Sequence, residues 1–203
     1  MVALVDYNMG NLASVKNAFK KLGSECELVS DPDKLHRYDR VLLPGVGAFG
    51  DAMEHLSANA MDSAIKEYVK SGRYVLGICL GMQVLFDRGY EFGTRDGLGL
   101  IEGEVVPFDK TRFQSKLKVP HMGWNRMVTA QKHQIFSGLE DETYLYFVHS
   151  YHVQTAKKYV IGTSHYGYDF VSAVAKDNVI GLQPHPEKSH KNGLQILQNF
   201  INL

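Results

Sequence analysis

Two small constellations have the residue types and spacing that covalent catalysis requires. The first is Gly77-Ile78-Cys79-Leu80-Gly81, set between Tyr74-Val75-Leu76 and Met82-Gln83-Val84-Leu85-Phe86. The pattern predicts a strand, a sharp turn at the cysteine and then a helix, the cysteine counterpart of the G-x-S-x-G nucleophile elbow. Glycine is required on both flanks because a side chain there would strike the neighbouring strand or the opening helical turn. Such a turn exposes Sγ at a helix N-terminus, where the dipole and the free N–H groups favour thiolate over thiol. The second constellation is Pro184-His185-Pro186-Glu187-Lys188-Ser189, which follows the short apolar run Val179-Ile180-Gly181-Leu182-Gln183. In extended chain, residues two apart project to one side, so His185 and Glu187 are expected to point together.

Taken singly, each has an ordinary reading: a cysteine packed in the core and a titrating histidine on a surface turn. Taken together they compose a Cys-His-Glu triad. His185 would take the thiol proton and return it to a leaving amine, and Glu187 would fix the imidazole tautomer and stabilise its cation. Attack on an amide also passes through an oxyanion that needs aimed N–H donors. The Leu80 N–H is one such donor by elbow geometry. The loop Pro44-Gly45-Val46-Gly47 reads either as a plain strand-to-helix turn or as the source of a second donor. It does not complete the G-x-G-x-x-G phosphate pattern.

The elements that must position these residues are legible in outline. Val2–Val5, Cys26–Val29, Arg40–Leu43 and Tyr74–Ile78 read as short buried strands. Leu12, Val15, Phe19 and Leu22 define one apolar face of a helix that stops at Gly23. Asp51 and Asp62 are expected to N-cap two further helices, the second ending at Gly72. Alternating strands and helices imply a mostly parallel sheet covered on both faces. After Gly97 the chain turns to β-branched and aromatic runs, with strands expected at 104–108, 144–148, 160–163 and 170–175, some of them antiparallel. A closing helix carries Leu194, Ile196, Leu197, Phe200 and Ile201. No linker or repeat divides the 203 residues, so one domain over 1–203 is expected.

Composition excludes several function classes. Lys plus Arg and Asp plus Glu are 22 each, a net charge of zero that argues against nucleic-acid binding. No apolar run approaches the roughly 20 residues of a membrane span, and the N-terminus does not read as a signal peptide. Cys26 and Cys79 do not make a disulfide framework, which fits a reducing, cytoplasmic setting. The pair His149-x-x-His152 lacks the acidic or thiol ligands that a metal site would add.

Gly77–Gln83 and His185–Ser189 resemble the two signatures of the class I, triad-type glutamine amidotransferases. Asp6-Tyr7-Asn8-Met9-Gly10-Asn11-Leu12, Leu43-Pro44-Gly45-Val46-Gly47-Ala48-Phe49 and Pro120-His121-Met122-Gly123-Trp124-Asn125 resemble one branch of that family, the glutaminase subunits of imidazole glycerol phosphate synthase. The resemblance runs from the first strand to the last helix. It implies a flavodoxin-like α/β fold with an antiparallel extension, and hydrolysis of L-glutamine to L-glutamate and ammonia without metal or organic cofactor. It assigns Cys79, His185 and Glu187 to the triad, and Gly45 and Val46 with Leu80 to the oxyanion hole. Gln83, His149, Ser150 and Tyr151 fall on substrate-binding positions. Asn8, Asn11, His121, Met122, Trp124 and Lys188 fall on the face that meets a (β/α)₈ cyclase barrel, through which ammonia would pass in histidine biosynthesis. Trp124 suits a core position equally well. Pro184 departs from the family, which has an aromatic residue before the histidine; proline is tolerable there if the strand is already ending. A paralogous glutaminase serving another synthase, for instance in surface-glycan sugar amidation, and a stand-alone γ-glutamyl cysteine hydrolase both remain open at this point.

Overall fold

Runs of apolar residues with no polar alternation specify strands buried on both faces, and the computed structural model, which covers residues 1–203, builds the centre of its sheet from four of them. The strands are β1 (Val2–Val5), β2 (Cys26–Val29), β3 (Arg40–Leu43), β4 (Tyr74–Ile78), β5 (Phe86–Gly89), β6 (Arg95–Asp96), β7 (Ile101–Pro107), β8 (His121–Thr129), β9 (Glu142–His149), β10 (Tyr151–Thr155), β11 (Val160–Tyr166), β12 (Tyr168–Lys176) and β13 (Val179–Leu182). The helices are α1 (Leu12–Lys21), α2 (Phe49–Ala58), α3 (Met61–Lys70), α4 (Leu80–Gln83) and α5 (His190–Asn202). Strands β2-β1-β3-β4-β13 lie side by side and all parallel. The sheet continues through antiparallel β12 and β10, then β7, β5 and β6, while β11, β8 and β9 branch from β12. This is the doubly wound order in which ligands bind beyond the carboxyl ends of the strands.

Alternation along the parallel strands divides the core into two layers. Ala3, Val5, Val41, Leu43 and Val75 face α2 and α3, where they meet Ala52, Leu56 and Ile65. Val2, Leu4, Leu42, Leu76 and Ile78 face α1 and α5, against Phe19, Ile196, Leu197 and Phe200. Helix α1 follows its sequence signals closely. Asn11 caps it by accepting from the Ser14 N–H at 3.3 Å, and Gly23, at φ +67°, closes it.

Several expectations are corrected. Asp51 and Asp62 are not N-caps; they sit in the first turns of α2 and α3, whose cap positions are Ala48 and Ala60. The first N–H of α2, on Phe49, donates instead to the Glu91 carboxylate at 2.8 Å, and that of α3, on Met61, to Asn59 Oδ1 at 3.2 Å. A remote or preceding acceptor thus replaces the local cap. The helix after Cys79 is a single turn. Val84-Leu85-Phe86 leaves it to become strand β5, because the Leu85 and Phe86 carbonyls accept from Gly99, Leu100 and Ile101. Residues 186–188 form a 3-10 turn rather than extended chain. Strands β5, β6, β8 and β10 had no sequence expectation. No helix is long and apolar enough to cross a membrane, and both cysteines are free.

The single turn α4 sits so close to β3 that a Cβ on Gly81 would overlap the Leu43 carbonyl oxygen, which is backbone and cannot move aside. Gly81→Ala is therefore expected to destabilise the fold by about 2 kcal/mol or more, lowering Tm by several degrees. Thermal unfolding followed by circular dichroism checks this; an unchanged Tm would show that α4 is free to shift.

Candidate active site

Three neighbouring parallel strands deliver the site. Strand β3 ends in the Pro44–Gly47 loop, β4 in Cys79, and β13 in the segment carrying His185. At Cys79 the chain takes φ +54° and ψ −112°, a conformation L-residues avoid. It is held on both sides: the Cys79 N–H donates to the Leu182 carbonyl at 2.7 Å, extending the β4–β13 ladder, and the Cys79 carbonyl accepts from Gln83 at 3.1 Å. Glycines make room for the turn. A Cβ on Gly45 would lie 2.7 Å from Tyr7 Oη and 2.8 Å from the Gly81 nitrogen, so the loop after β3 is pressed directly against the start of α4. Tyr7 fixes that loop by donating to the Pro44 carbonyl at 2.7 Å; burial raises its phenol, reinforced by charge on Cys79, so it remains a donor.

His185 is anchored to the antiparallel extension. Its N–H donates to the Tyr146 carbonyl at 2.8 Å, and Ser189 Oγ donates to the His185 carbonyl at 2.6 Å while accepting from the Tyr146 N–H. Pro184, two residues beyond β13, gives up no ladder bond. The 3-10 turn brings Glu187 Oε1 to 2.7 Å from His185 Nδ1, with both side chains almost wholly buried. Extended chain was the expected route to this pairing; the turn achieves it instead. Since Nδ1 donates to the carboxylate, Nε2 is the free nitrogen, and it is buried without a partner. Burial alone would favour neutral imidazole, but the charges of Cys79 and Glu187 outweigh it and raise the His185 pKa to about 10. His185 is thus held as the imidazolium beside the Cys79 sulfur. With α4 only one turn long, its dipole contributes little at the sulfur.

Cys79 and His185 line one cavity of about 250 Å³, together with Val46, Gly47, Leu80, Gln83, Glu91, Pro120, Val148, His149, Ser150 and Tyr151. Gly45 lies just behind Val46, and Glu187 behind His185. Glu91 was not singled out from the sequence. It is the one carboxylate on the wall, fixed by the Phe49 N–H, and it offers a counter-charge to an α-ammonium group. Its only sequence signal was an acidic residue in an otherwise unremarkable turn.

The histidines near the cavity differ from His185. His149 Nδ1 lies 2.8 Å from the Tyr151 carbonyl, which can only accept, so Nδ1 carries the proton. His149 Nε2 must then accept from His121 Nδ1 at 3.0 Å, and His121 Nε2 from Asn125 Nδ2 at 3.2 Å. Burial lowers His121 to about 4 and His149 to about 3, so both rings are neutral. His152 turns away to Tyr168 Oη at 2.9 Å, so His149 and His152 do not converge on a metal position.

The residues expected on a partner face are divided. Met122 (63% exposed) and Trp124 (47%) stand on the outer face of β8, beside Tyr144 and Tyr146 of β9. Trp124 is therefore not a core residue; it stacks on His190 with rings 5.0 Å apart and nearly parallel. Lys188 lies over the Tyr146 ring. His121 points inward, 3% exposed and sandwiched between Phe147 and Tyr166. Asn8 is exposed at φ +65°, while Asn11 is engaged as the cap of α1.

A parallel sheet with an elbow cysteine and a carboxylate-bound histidine at its carboxyl edge is an arrangement suited to nucleophilic catalysis by a thiol. Residues 3–203 match the family model of glutamine amidotransferase class-I, and the chain belongs to that family. It is 61% identical over 201 residues to the imidazole glycerol phosphate synthase subunit HisH of Sulfurimonas denitrificans, covering 98% of this chain and 97% of that one. It is 56% identical over 204 residues to the HisH subunit of Wolinella succinogenes, covering all of both. Among solved structures it resembles PurLQS from Thermotoga maritima in fold, with TM-score 0.77 and 19% identity over 99% of this chain and 97% of that chain.

Because His121 and His149 are neutral when folded and titrate near 6.5 when unfolded, the unfolded chain binds more protons as pH falls below about 6.5. That stability is lost progressively down to about pH 3. His149→Phe removes one of the two groups. It is expected to be about 1–3 kcal/mol less stable at pH 7, from the unpaired His121 donor, yet to lose less Tm between pH 7 and 4.5. Parallel acid limbs for wild type and variant would place the acid sensitivity elsewhere.

Proposed function

We propose that this chain is the glutaminase subunit of an imidazole glycerol phosphate synthase. The observation that carries the reading is the shared cavity of Cys79 and His185 in a chain so similar, end to end, to HisH subunits. L-Glutamine enters with its α-ammonium toward Glu91 and its amino-acid end against Gln83, His149, Ser150 and Tyr151. Cys79 Sγ attacks the side-chain amide carbon, and the negative charge moves to the carbonyl oxygen. The Leu80 N–H and the Gly45–Val46 loop stabilise that oxyanion. His185 Nε2 gives its proton to the departing nitrogen, so ammonia leaves and a γ-glutamyl thioester remains. His185 then takes a proton from water, whose oxygen attacks the thioester through a second oxyanion. Glutamate departs and the thiolate–imidazolium pair is restored. Glu187 holds the imidazole in register throughout and offsets its charge.

Ammonia released to solvent would be lost to the synthesis. The reading therefore includes a heterodimer with a (β/α)₈ cyclase barrel in the cytoplasm, where ammonia passes directly to the barrel and yields imidazole glycerol phosphate and aminoimidazole carboxamide ribotide. The exposed apolar strip of Met122, Trp124 and Tyr144, with Lys188 at its edge, supports docking on the outer face of β8 and β9. That face adjoins the cavity through Val148, whose side faces Met122 and whose carbonyl lies 3.7 Å from Cys79 Sγ. Asn8 and Asn11 would lie at the margin of the contact, and His121 beneath it.

Glutamate release by the purified chain, alone and with the cyclase barrel and its ribonucleotide ligand, tests this reading. Strong stimulation only with the liganded barrel is the expected result. Full activity alone would favour a stand-alone hydrolase, and no activity in either condition would indicate a different synthase. Cys79→Ala is expected to abolish release while still binding the barrel, and Glu187→Gln to lower kcat by about 10²–10⁴-fold; retained hydrolysis in Cys79→Ala would overturn the triad.

A further inference from the structure

Two buried glutamine side chains form a directed chain that ends on the nucleophile. Gln83 Nε2 lies 3.1 Å from the Tyr151 carbonyl and 3.0 Å from Gln183 Oε1. A backbone carbonyl only accepts, so this end of Gln83 must be its NH₂ group, and each of its two hydrogens has an acceptor. Gln183 therefore turns its oxygen toward Gln83. Its own NH₂ group is left on the opposite side, where Nε2 lies 3.8 Å from Cys79 Sγ. The orientation of both amides follows from one fixed carbonyl rather than from a choice between equivalent flips.

Gln183 itself has no freedom to turn away. It is fully buried, and its backbone N–H donates to the Ser172 carbonyl at 2.9 Å, one residue past the end of β13. Besides the His185 imidazole, the other polar neighbour of the sulfur is the Val148 carbonyl at 3.7 Å, an acceptor that only a protonated thiol satisfies. The two neighbours thus oppose each other: Val148 favours S–H, and Gln183 favours S⁻.

We propose that Gln183 is a positioning residue that donates a side-chain N–H to the Cys79 thiolate, with Gln83 and the Tyr151 carbonyl holding the donor in place. This rests on the reading of Cys79 as the nucleophile of a glutaminase. The donor acts twice in that cycle. It holds Sγ at the cavity wall before attack, and it stabilises the thiolate that leaves when water cleaves the thioester. It also ties the sulfur to Gln83, so the nucleophile and a substrate-contacting side chain share one hydrogen-bonded unit.

The test is alkylation of the full-length chain by iodoacetamide across pH, read by mass spectrometry on the Cys79 peptide so that Cys26 does not interfere. In Gln183→Met, which keeps volume and loses the donor, the midpoint of the profile is expected to rise by about one pH unit. In Gln183→Glu, which faces the thiolate with a carboxylate, it should rise further. Barrel-stimulated glutaminase activity of Gln183→Met should lose about ten-fold in kcat while KM changes less than about three-fold. A folded variant, with native circular dichroism and Tm, whose alkylation midpoint is unmoved would overturn the proposal. Should neither variant fold, the wild-type chain answers the question by NMR. The Gln183 side-chain NH₂ resonances, identified by cross-peaks to the Gln83 amide, should titrate with the same midpoint as alkylation, and resonances indifferent to that titration would overturn it. Alkylation needs neither glutamine nor barrel, so a Gln183-dependent profile in a chain that hydrolyses no glutamine would keep this proposal and remove the glutaminase reading.

Discussion

The arrangement depends on one strained residue. A non-glycine residue at φ +54°, ψ −112° costs on the order of 1–3 kcal/mol and persists only where its surroundings over-determine it. At Cys79 they do. The residue is the last rung of the β4–β13 ladder and the first acceptor of α4, so it cannot relax without giving up a hydrogen bond on one side or the other. Gly45 and Gly81 let the neighbouring backbone close to van der Waals contact around it, and Tyr7 pins the loop from below. The same compression that forces the turn sets the Pro44–Gly47 loop beside the nucleophile. Strain and site assembly are consequences of one packing constraint.

A second fixed point is the Tyr151 carbonyl. It accepts from Gln83 Nε2 and from His149 Nδ1, and because a carbonyl cannot donate, both side chains are oriented by it. One chain of bonds runs from it to Gln183 and the sulfur. The other runs through His149 and His121 to Asn125 on β8, the strand whose opposite face carries Met122 and Trp124. The cavity wall and the exposed face of the extension are therefore joined by neutral, directed hydrogen bonds rather than by charges. Burial of these groups is tolerable because each ring nitrogen has a partner of the right kind.

Local signals made much of this legible in the sequence. Strands β1 to β4 were bounded correctly because short, mostly apolar runs flanked by turn residues leave little choice, and α1 because apolar spacing and terminal glycine agree. The elbow was legible because glycine spacing around Cys79 has a steric cause. Long-range bonds produced the misses. Asp51 and Asp62 look like caps, but each helix begins earlier in the chain, where the Phe49 and Met61 N–H groups find Glu91 and Asn59 as acceptors. Val84-Leu85-Phe86 has helical periodicity continuous with α4, yet the carbonyls of Leu85 and Phe86 are claimed from downstream by Gly99, Leu100 and Ile101. Strand β8 hides behind glycine, tryptophan and asparagine, which alternate in burial only once β9 and β11 are in place. Glu91 and Gln183 carry no local signal at all, since their significance lies in partners 42 and 104 residues away.

The contrast between His185 and His149 shows how one residue type is given opposite charge states within a single site. Both are buried, and burial pushes both toward the neutral ring. Their Nδ1 hydrogen bonds are of nearly equal length, 2.7 and 2.8 Å. The difference is the acceptor. At His185 it is a carboxylate that is itself buried, with the sulfur across the cavity, so two negative charges outweigh desolvation and the ring holds its proton to about pH 10. At His149 burial is opposed only by the neutral Tyr151 carbonyl, and the nearby ionisable groups are other histidines, including charged His185, so desolvation prevails. A cation at both positions would place like charges side by side in a low-dielectric wall, which is costly. Of the two imidazoles that line the cavity with the thiol, only His185, paired with Glu187, is thereby given a proton to hold as a cation.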